Sequence, residues 1–191
     1  MALILSGFIV FGKQFILLWA GPGYEDAYII TLLFFVALFI PLIQNLGITI
    51  LQARNQMKFR SLLYIGIAVL ALIFQVVLAK KYEGIGCAFA VAGALLLGQG
   101  LIMNIYYQKR QGIDIVAFWK EIIKMSIVPT LITCLFFYIV SSFNMNSWFN
   151  WMLGVSMFSV IYIPLFYIFS MNRYEKELSL APIRKIFAHK V

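Results

Sequence analysis

One side chain well inside the apolar runs of this chain is ionisable: Lys13, in the stretch 2–18. A lysine at the centre of a span costs about 2.5–3.5 kcal/mol on insertion scales, so its position asks for a reason. It precedes Trp19 by six residues, which is about 9 Å along a helix. Its ammonium either snorkels to the nearer headgroups or faces a cavity and takes an anionic group such as a phosphate. The other polar candidates at depth are Gln44 and Asn45, which follow Pro41 in the stretch 27–51, and Thr130, which follows Pro129 in the stretch 121–141. A proline inside a helix removes one backbone hydrogen bond and bends the rod. Amides in a membrane are costly without partners. Gln44 and Asn45 therefore either line a polar cavity or bond a neighbouring helix. Ser126, Pro129, Thr130 and Thr133 repeat the proline device, with hydroxyls able to bond freed carbonyls locally.

That inventory excludes most catalysis. An intramembrane enzyme needs a nucleophile, a base or metal ligands near one another. Glu25, Asp26, Glu83, Asp114, Glu121, Glu175 and Glu177 all fall at turns or borders, and the single histidine, His189, lies in the C-terminal tail. No H-E-x-x-H, paired carboxylates or Ser–His arrangement can be built from this set, so the chain reads as a non-enzyme with no metal site and no cofactor. The same absence removes the carboxylates that usually couple transport to protons or sodium. Cys87 and Cys134 sit inside apolar runs as small packing residues.

The elements that must hold these residues are legible in composition. Hydrophobic residues make up 63% of the chain and charged residues 12%, against roughly 45–50% and 25% in soluble domains. Six apolar stretches run approximately 2–18, 27–51, 61–79, 84–106, 121–141 and 148–170. A bilayer core takes about 20 residues of helix to cross, and barrel strands would be shorter and alternating. The expected fold is an all-α integral membrane protein, a bundle of about six transmembrane helices over 1–171 followed by a basic amphipathic tail, 172–191. The N-terminal stretch is the weakest, because Gly7, Gly12 and Lys13 interrupt it. A chain that opens in a weak helix looks like a piece of something longer.

Charge gives the topology. Arg54, Lys58 and Arg60 follow the second stretch; Lys109, Arg110, Lys120 and Lys124 flank the turn after the fourth; Arg173, Lys176, Arg184, Lys185 and Lys190 follow the sixth. Those alternate turns hold 12 of the 15 positive charges, the opposite set only Lys80 and Lys81, so the positive-inside rule puts the more basic turns and the C-terminus in the cytoplasm. The net charge of +8 is then a topology signal, and nucleic acid is not expected as a partner. Trp19, Trp119, Trp148 and Trp151 all sit at borders, as interfacial rings should. In the fourth stretch Gly86, Ala90, Ala94 and Gly98 recur every four residues, a ridge of small side chains that allows close helix approach. Leucine at Ala94 or Gly98 should force helices apart, whereas Ala71 is expected off that seam.

Three turns resemble those of a known family. Phe15–Gly21 with Tyr24 and Ala27 is similar to the "LW-x-G-x-x-Y-x-x-A" outer turn of polysaccharide flippases, and Ile50–Lys58 looks like their cytoplasmic "LQA-x-(G/N)-x-x-K" turn. Lys81–Ala88 resembles their "KYG-x-x-GAA" outer turn, with the usual first glycine one place late and Cys87 replacing an alanine. Order, spacing and membrane side agree. The resemblance is to lipid-linked oligosaccharide (O-antigen) flippases of the multidrug/oligosaccharidyl-lipid/polysaccharide superfamily. It implies half of a two-lobed fold, the C-terminal lobe, with the N-terminal lobe missing. It also implies transport of undecaprenyl-pyrophosphate-linked repeat units across a bacterial inner membrane, for capsule or O-antigen assembly. Lipid-linked oligosaccharide, membrane lipids and the absent lobe would be its partners, and Lys13 its one cationic cavity residue. A MATE-like multidrug exporter lobe and a small membrane scaffold are the alternatives.

Overall fold

The computed structural model of the chain describes residues 1–141, 147–171 and 176. Every regular element among them is helical: α1 (Ala2–Ala20), α2 (Asp26–Ile43), α3 (Asn45–Ala53), α4 (Lys58–Leu95), a π-helical segment (Leu96–Ile102), α5 (Met103–Gln111), α6 (Ile115–Ser141), α7 (Trp148–Leu165) and a second π segment (Phe166–Ser170). Five stretches among the described residues are long and apolar enough to cross a bilayer, the longest being Lys58–Gln111 with 54 residues. That is more than twice what a crossing requires. Glu83 divides it, with φ 49° and ψ −130° inside otherwise helical backbone. The facing contacts show a hairpin. Leu78 meets Gly86, Ala71 packs with Ala94, Ile67 meets Gly98, and Phe59 stacks on Tyr106 at 4.1 Å. Each pair is nearly equidistant from Glu83, so the arms 58–82 and 84–111 run antiparallel. The chain is a multi-pass all-α membrane protein, and the apolar rods among its described residues number six, as its hydropathy leads one to expect.

Its surface agrees. Leu62, Ile65, Val69, Leu72, Ile73, Val76 and Val77 along the first arm are all more than half exposed, a face that suits hydrocarbon and not water. The fold also corrects one expectation. Gly7, Gly12 and Lys13 do not interrupt the first run, because α1 is continuous from Ala2 to Ala20. Where water is absent a broken backbone has nothing to bond, so intrahelical bonds survive residues that would weaken a soluble helix. The C-terminal tail, 172–191, lies outside the described residues apart from Lys176.

Two compact units divide the chain. The first comprises Met1 and Gly12–Phe118, the second Ala2–Phe11 with the described residues from Trp119 onward. In the first, α2 and α3 run parallel to the second arm of the hairpin. Ile30 lies against Gly84, Ile40 against Gly100, and Arg54 bonds Gln111 at the far end. The ridge Gly86, Ala90, Ala94 and Gly98 is buried throughout. Its partner is the first arm: a Cβ on Gly98 would overlap the Ile67 side chain. Ala71 is part of that seam, only 9% exposed against Ala94, contrary to its expected place off it. The ridge repeats every four residues, but the partner face cannot be read from one helix alone.

The second unit is held by rings. Phe158 meets Phe11 and Phe136 edge-on, with centroids at 5.7 and 5.0 Å. Val10, Ile132, Val140 and Tyr162 complete its core. Edge-to-face pairs add about 0.5–1.5 kcal/mol beyond area burial. Trp151 Nε1 donates to the Phe11 carbonyl at 3.2 Å, and Ser170 Oγ to the Met125 carbonyl at 2.7 Å.

Candidate functional site

The most polar buried place in the first unit forms where two irregularities face each other. Pro41 lacks the N–H that a helix needs, and two residues later α2 ends. Gln44, with φ −77° and ψ 7°, separates it from α3. Opposite lies the π-helical segment Leu96–Ile102, a geometry that is rare and often found at functional positions. Gln44 Nε2 donates across to the Asn104 Oδ1 at 2.7 Å and to the Gln99 carbonyl at 3.2 Å. Asn104 Nδ2 in turn donates to the Gly100 carbonyl at 2.6 Å. Gln44 and Gln99 are 4% and 2% exposed, yet Gln44 Oε1 and Gln99 Nε2 have no partner among the described residues. An orphan acceptor and an orphan donor in one amide cluster invite a bridging water or a polar group of a ligand.

Beneath the amides lies a cavity of about 50 Å³, bounded by Gln44, Gly47, Asn104, Tyr107, Ile113 and Phe118 among others. It is large enough for one or two waters. Gly47 lets the Tyr107 ring come close, since a Cβ would stand 2.7 Å from it and the ring would have to shift. At the end of the same parallel pair, Arg54 Nη1 donates to Gln111 Oε1 at 2.8 Å, and Gln111 Nε2 donates to Gln56 Oε1 at 2.6 Å. This latch ties the 52–60 turn to the end of α5. Both basic turns of the unit thus lie at one end, as alternate turns should.

The sequence-derived candidates scatter. Gln44 is in the amide cluster, where it both bonds the second arm and borders the small cavity. Asn45, its neighbour, is exposed. Lys13 is exposed on α1 and makes no hydrogen bond or ion pair among the described residues. Thr130 is exposed in the second unit and donates to the Ser126 carbonyl of its own helix at 2.8 Å. Gln99, Asn104, Arg54, Gln56 and Gln111 carry most of the polar geometry and were not among the candidates. Their only signal was polarity near a span, and nothing in the sequence paired them.

The site can donate and accept hydrogen bonds; it holds no buried acid, base or nucleophile. Among the described residues no group of three or more His, Cys, Asp or Glu could hold a metal. No protein-family model, curated protein or solved structure matches the chain.

Proposed function

We propose that the chain forms the C-terminal lobe of a transporter that moves undecaprenyl-pyrophosphate-linked oligosaccharides outward across a bacterial inner membrane, with its C-terminus cytoplasmic. The observation that supports this most is conformational. Among the described residues, two that are not glycine have positive φ: Asn55 at 52° and Glu83 at 49°. Asn55 occupies the "G/N" place of the resembled cytoplasmic turn. Glu83 occupies the place where the resembled outer turn has its first glycine. Asparagine tolerates left-handed backbone; glutamate does so only at a cost of about 1–3 kcal/mol. The turn therefore keeps a glycine's geometry without the glycine. The hinge at Gln44 fits the same reading, since a rod that breaks beside a polar cluster suits a protein whose helices rearrange.

Two experiments test it. Glu83→Gly should stabilise the chain by about 1 kcal/mol, because glycine adopts this φ freely and that gain exceeds its added unfolded-state entropy. A lower detergent melting temperature for this variant would remove the conformational argument. The functional test uses the intact transporter containing this segment, in a strain lacking its own flippase, with repeat-unit export and protein level measured together. Lys13→Ala should sharply reduce export at normal protein level, while Lys13→Arg retains part of it because the charge persists. Normal export by Lys13→Ala would take Lys13 out of the mechanism. No export by the unaltered protein at normal level would sink the proposal.

A further inference from the structure

A second concavity of the first unit, separate from the amide cluster, is open to the surroundings. It has a volume of about 260 Å³ and is lined by Phe59, Ile102, Ile105, Tyr106, Lys109 and Arg110. Five of these six come from one helical run at spacings of three, one, three and one, so they share a single face. Polarity changes along that face. Ile102 and Ile105 are 44% and 53% exposed, apolar side chains left about half bare by the described residues. Lys109 and Arg110 stand about 10 Å further along at 1.5 Å per residue. Between the two lies the Phe59–Tyr106 stack, with centroids 4.1 Å apart and rings only 8° from parallel, which fixes the two hairpin arms to each other.

Lys109 and Arg110 are exposed and have no hydrogen-bond or ion-pair partner among the described residues. α5 contains no acidic residue to neutralise them. They end a helix, where the carbonyl dipoles favour cations, so their charge is stable there yet unpaired among the described residues. A groove with an apolar floor, an aromatic shoulder and two free cations at its rim has the polarity profile of one phospholipid. Basic pockets at the ends of membrane helices bind anionic headgroups, and each such charge near the surface adds to the attraction.

We propose that this groove seats one anionic phospholipid, its phosphate on Lys109 and Arg110 and an acyl chain along Ile102 and Ile105. The lipid covers apolar surface that the unit leaves bare and neutralises the basic end of the hairpin. Its headgroup is read by charge and its chain by shape, so a zwitterionic lipid of the same chain length binds less well. This depends on the membrane fold alone and holds whatever the transported substrate is.

The test places the 191-residue chain in nanodiscs of phosphatidylethanolamine with phosphatidylglycerol, then releases it into mild detergent for native mass spectrometry. The unaltered protein should retain one phosphatidylglycerol preferentially. Lys109→Gln with Arg110→Gln should reduce that retention roughly tenfold or more. Lys80→Gln with Lys81→Gln removes the same charge from the other end of the hairpin and should leave retention unchanged. Millimolar inorganic phosphate should not displace the lipid. Equal losses in the two double variants would show a general charge effect and overturn the site. So would release by free phosphate, or an unaltered protein that retains no anionic lipid. Both pairs are exposed, and a monodisperse elution profile for each variant establishes that folding is unaffected.

Discussion

Pro41 and Pro129 both lie inside apolar helices, and the chain treats them in opposite ways. At Pro41 the rod breaks: α2 stops at Ile43, Gln44 turns out of helical geometry, and α3 resumes at Asn45. At Pro129 α6 continues unbroken from Ile115 to Ser141. At Pro129 the repair of the backbone is visible. A proline frees the carbonyl four residues earlier, which for Pro129 is that of Met125. Ser170 Oγ donates to this carbonyl at 2.7 Å from the end of the second π segment. The local hydroxyls do not. Ser126, Thr130 and Thr133 donate to the carbonyls of Ile122, Ser126 and Pro129. The expectation that these residues would repair the proline locally is therefore corrected: the repair comes from a neighbouring helix. Near Pro41 the interhelical partner is a long amide that bonds side chain and backbone on the second arm, and it sits on the break itself. A short hydroxyl seals an intact helix, whereas a long amide bridges from a broken one to its neighbour.

The units also differ in how they close, and the largest expected effects probe that. The first closes by backbone approach and the second by interlocking rings. Gly98→Leu should cost about 3 kcal/mol or more, since the added side chain meets Ile67 and the arms must separate. Ala68→Leu, on an exposed part of the first arm, should be tolerated. In the second unit the opposite change is the damaging one. Phe158→Ala should cost about 3–5 kcal/mol by opening a void among Phe11, Phe136 and Tyr162. Membrane accumulation and detergent melting temperature measure both. Equal tolerance of Gly98→Leu and Ala68→Leu would mean the seam is not a close approach.

Gln44 offers the next effect. Gln44→Leu should destabilise the chain by about 1–2 kcal/mol, because Asn104 Oδ1 loses its interhelical donor inside the bilayer. Gln44→Glu brings an acceptor where donors are needed and should be worse. If Gln44→Leu melts with the unaltered chain, the amide bridge adds nothing to the packing of the two helices.

Much of this was legible in the sequence because lipid imposes one strong rule. Backbone groups must bond internally, so run lengths gave six rods and the four-residue ridge gave a buried face. Side-chain pairing was not legible. Gln44, Gln99 and Asn104 meet only because α2 runs parallel to the second arm, and that depends on the reversal at Glu83, a residue type that gives no turn signal by itself. Ser170 and Met125 are far apart in sequence, and no periodicity connects them. Ala71 was misplaced for the same reason, since a seam belongs to two helices and only one carried the pattern.

The smallest effect separates the two kinds of proline repair most sharply. Ser170→Ala should cost about 1 kcal/mol, since it strands the Met125 carbonyl that Pro129 freed. Thr133→Val should be nearly silent. Its hydroxyl bonds the Pro129 carbonyl, which can still receive a backbone N–H from within the helix. Pro129→Ala supplies the missing donor, so in that background Ser170→Ala should lose most of its effect. That double-mutant cycle, read by thermal melting in detergent, isolates the coupling between the two residues. Additive effects would mean that Ser170 acts through packing and that the Met125 carbonyl is satisfied some other way. A coupling close to the full single-variant effect would establish that a distant hydroxyl supports the unbroken α6 where α2 breaks.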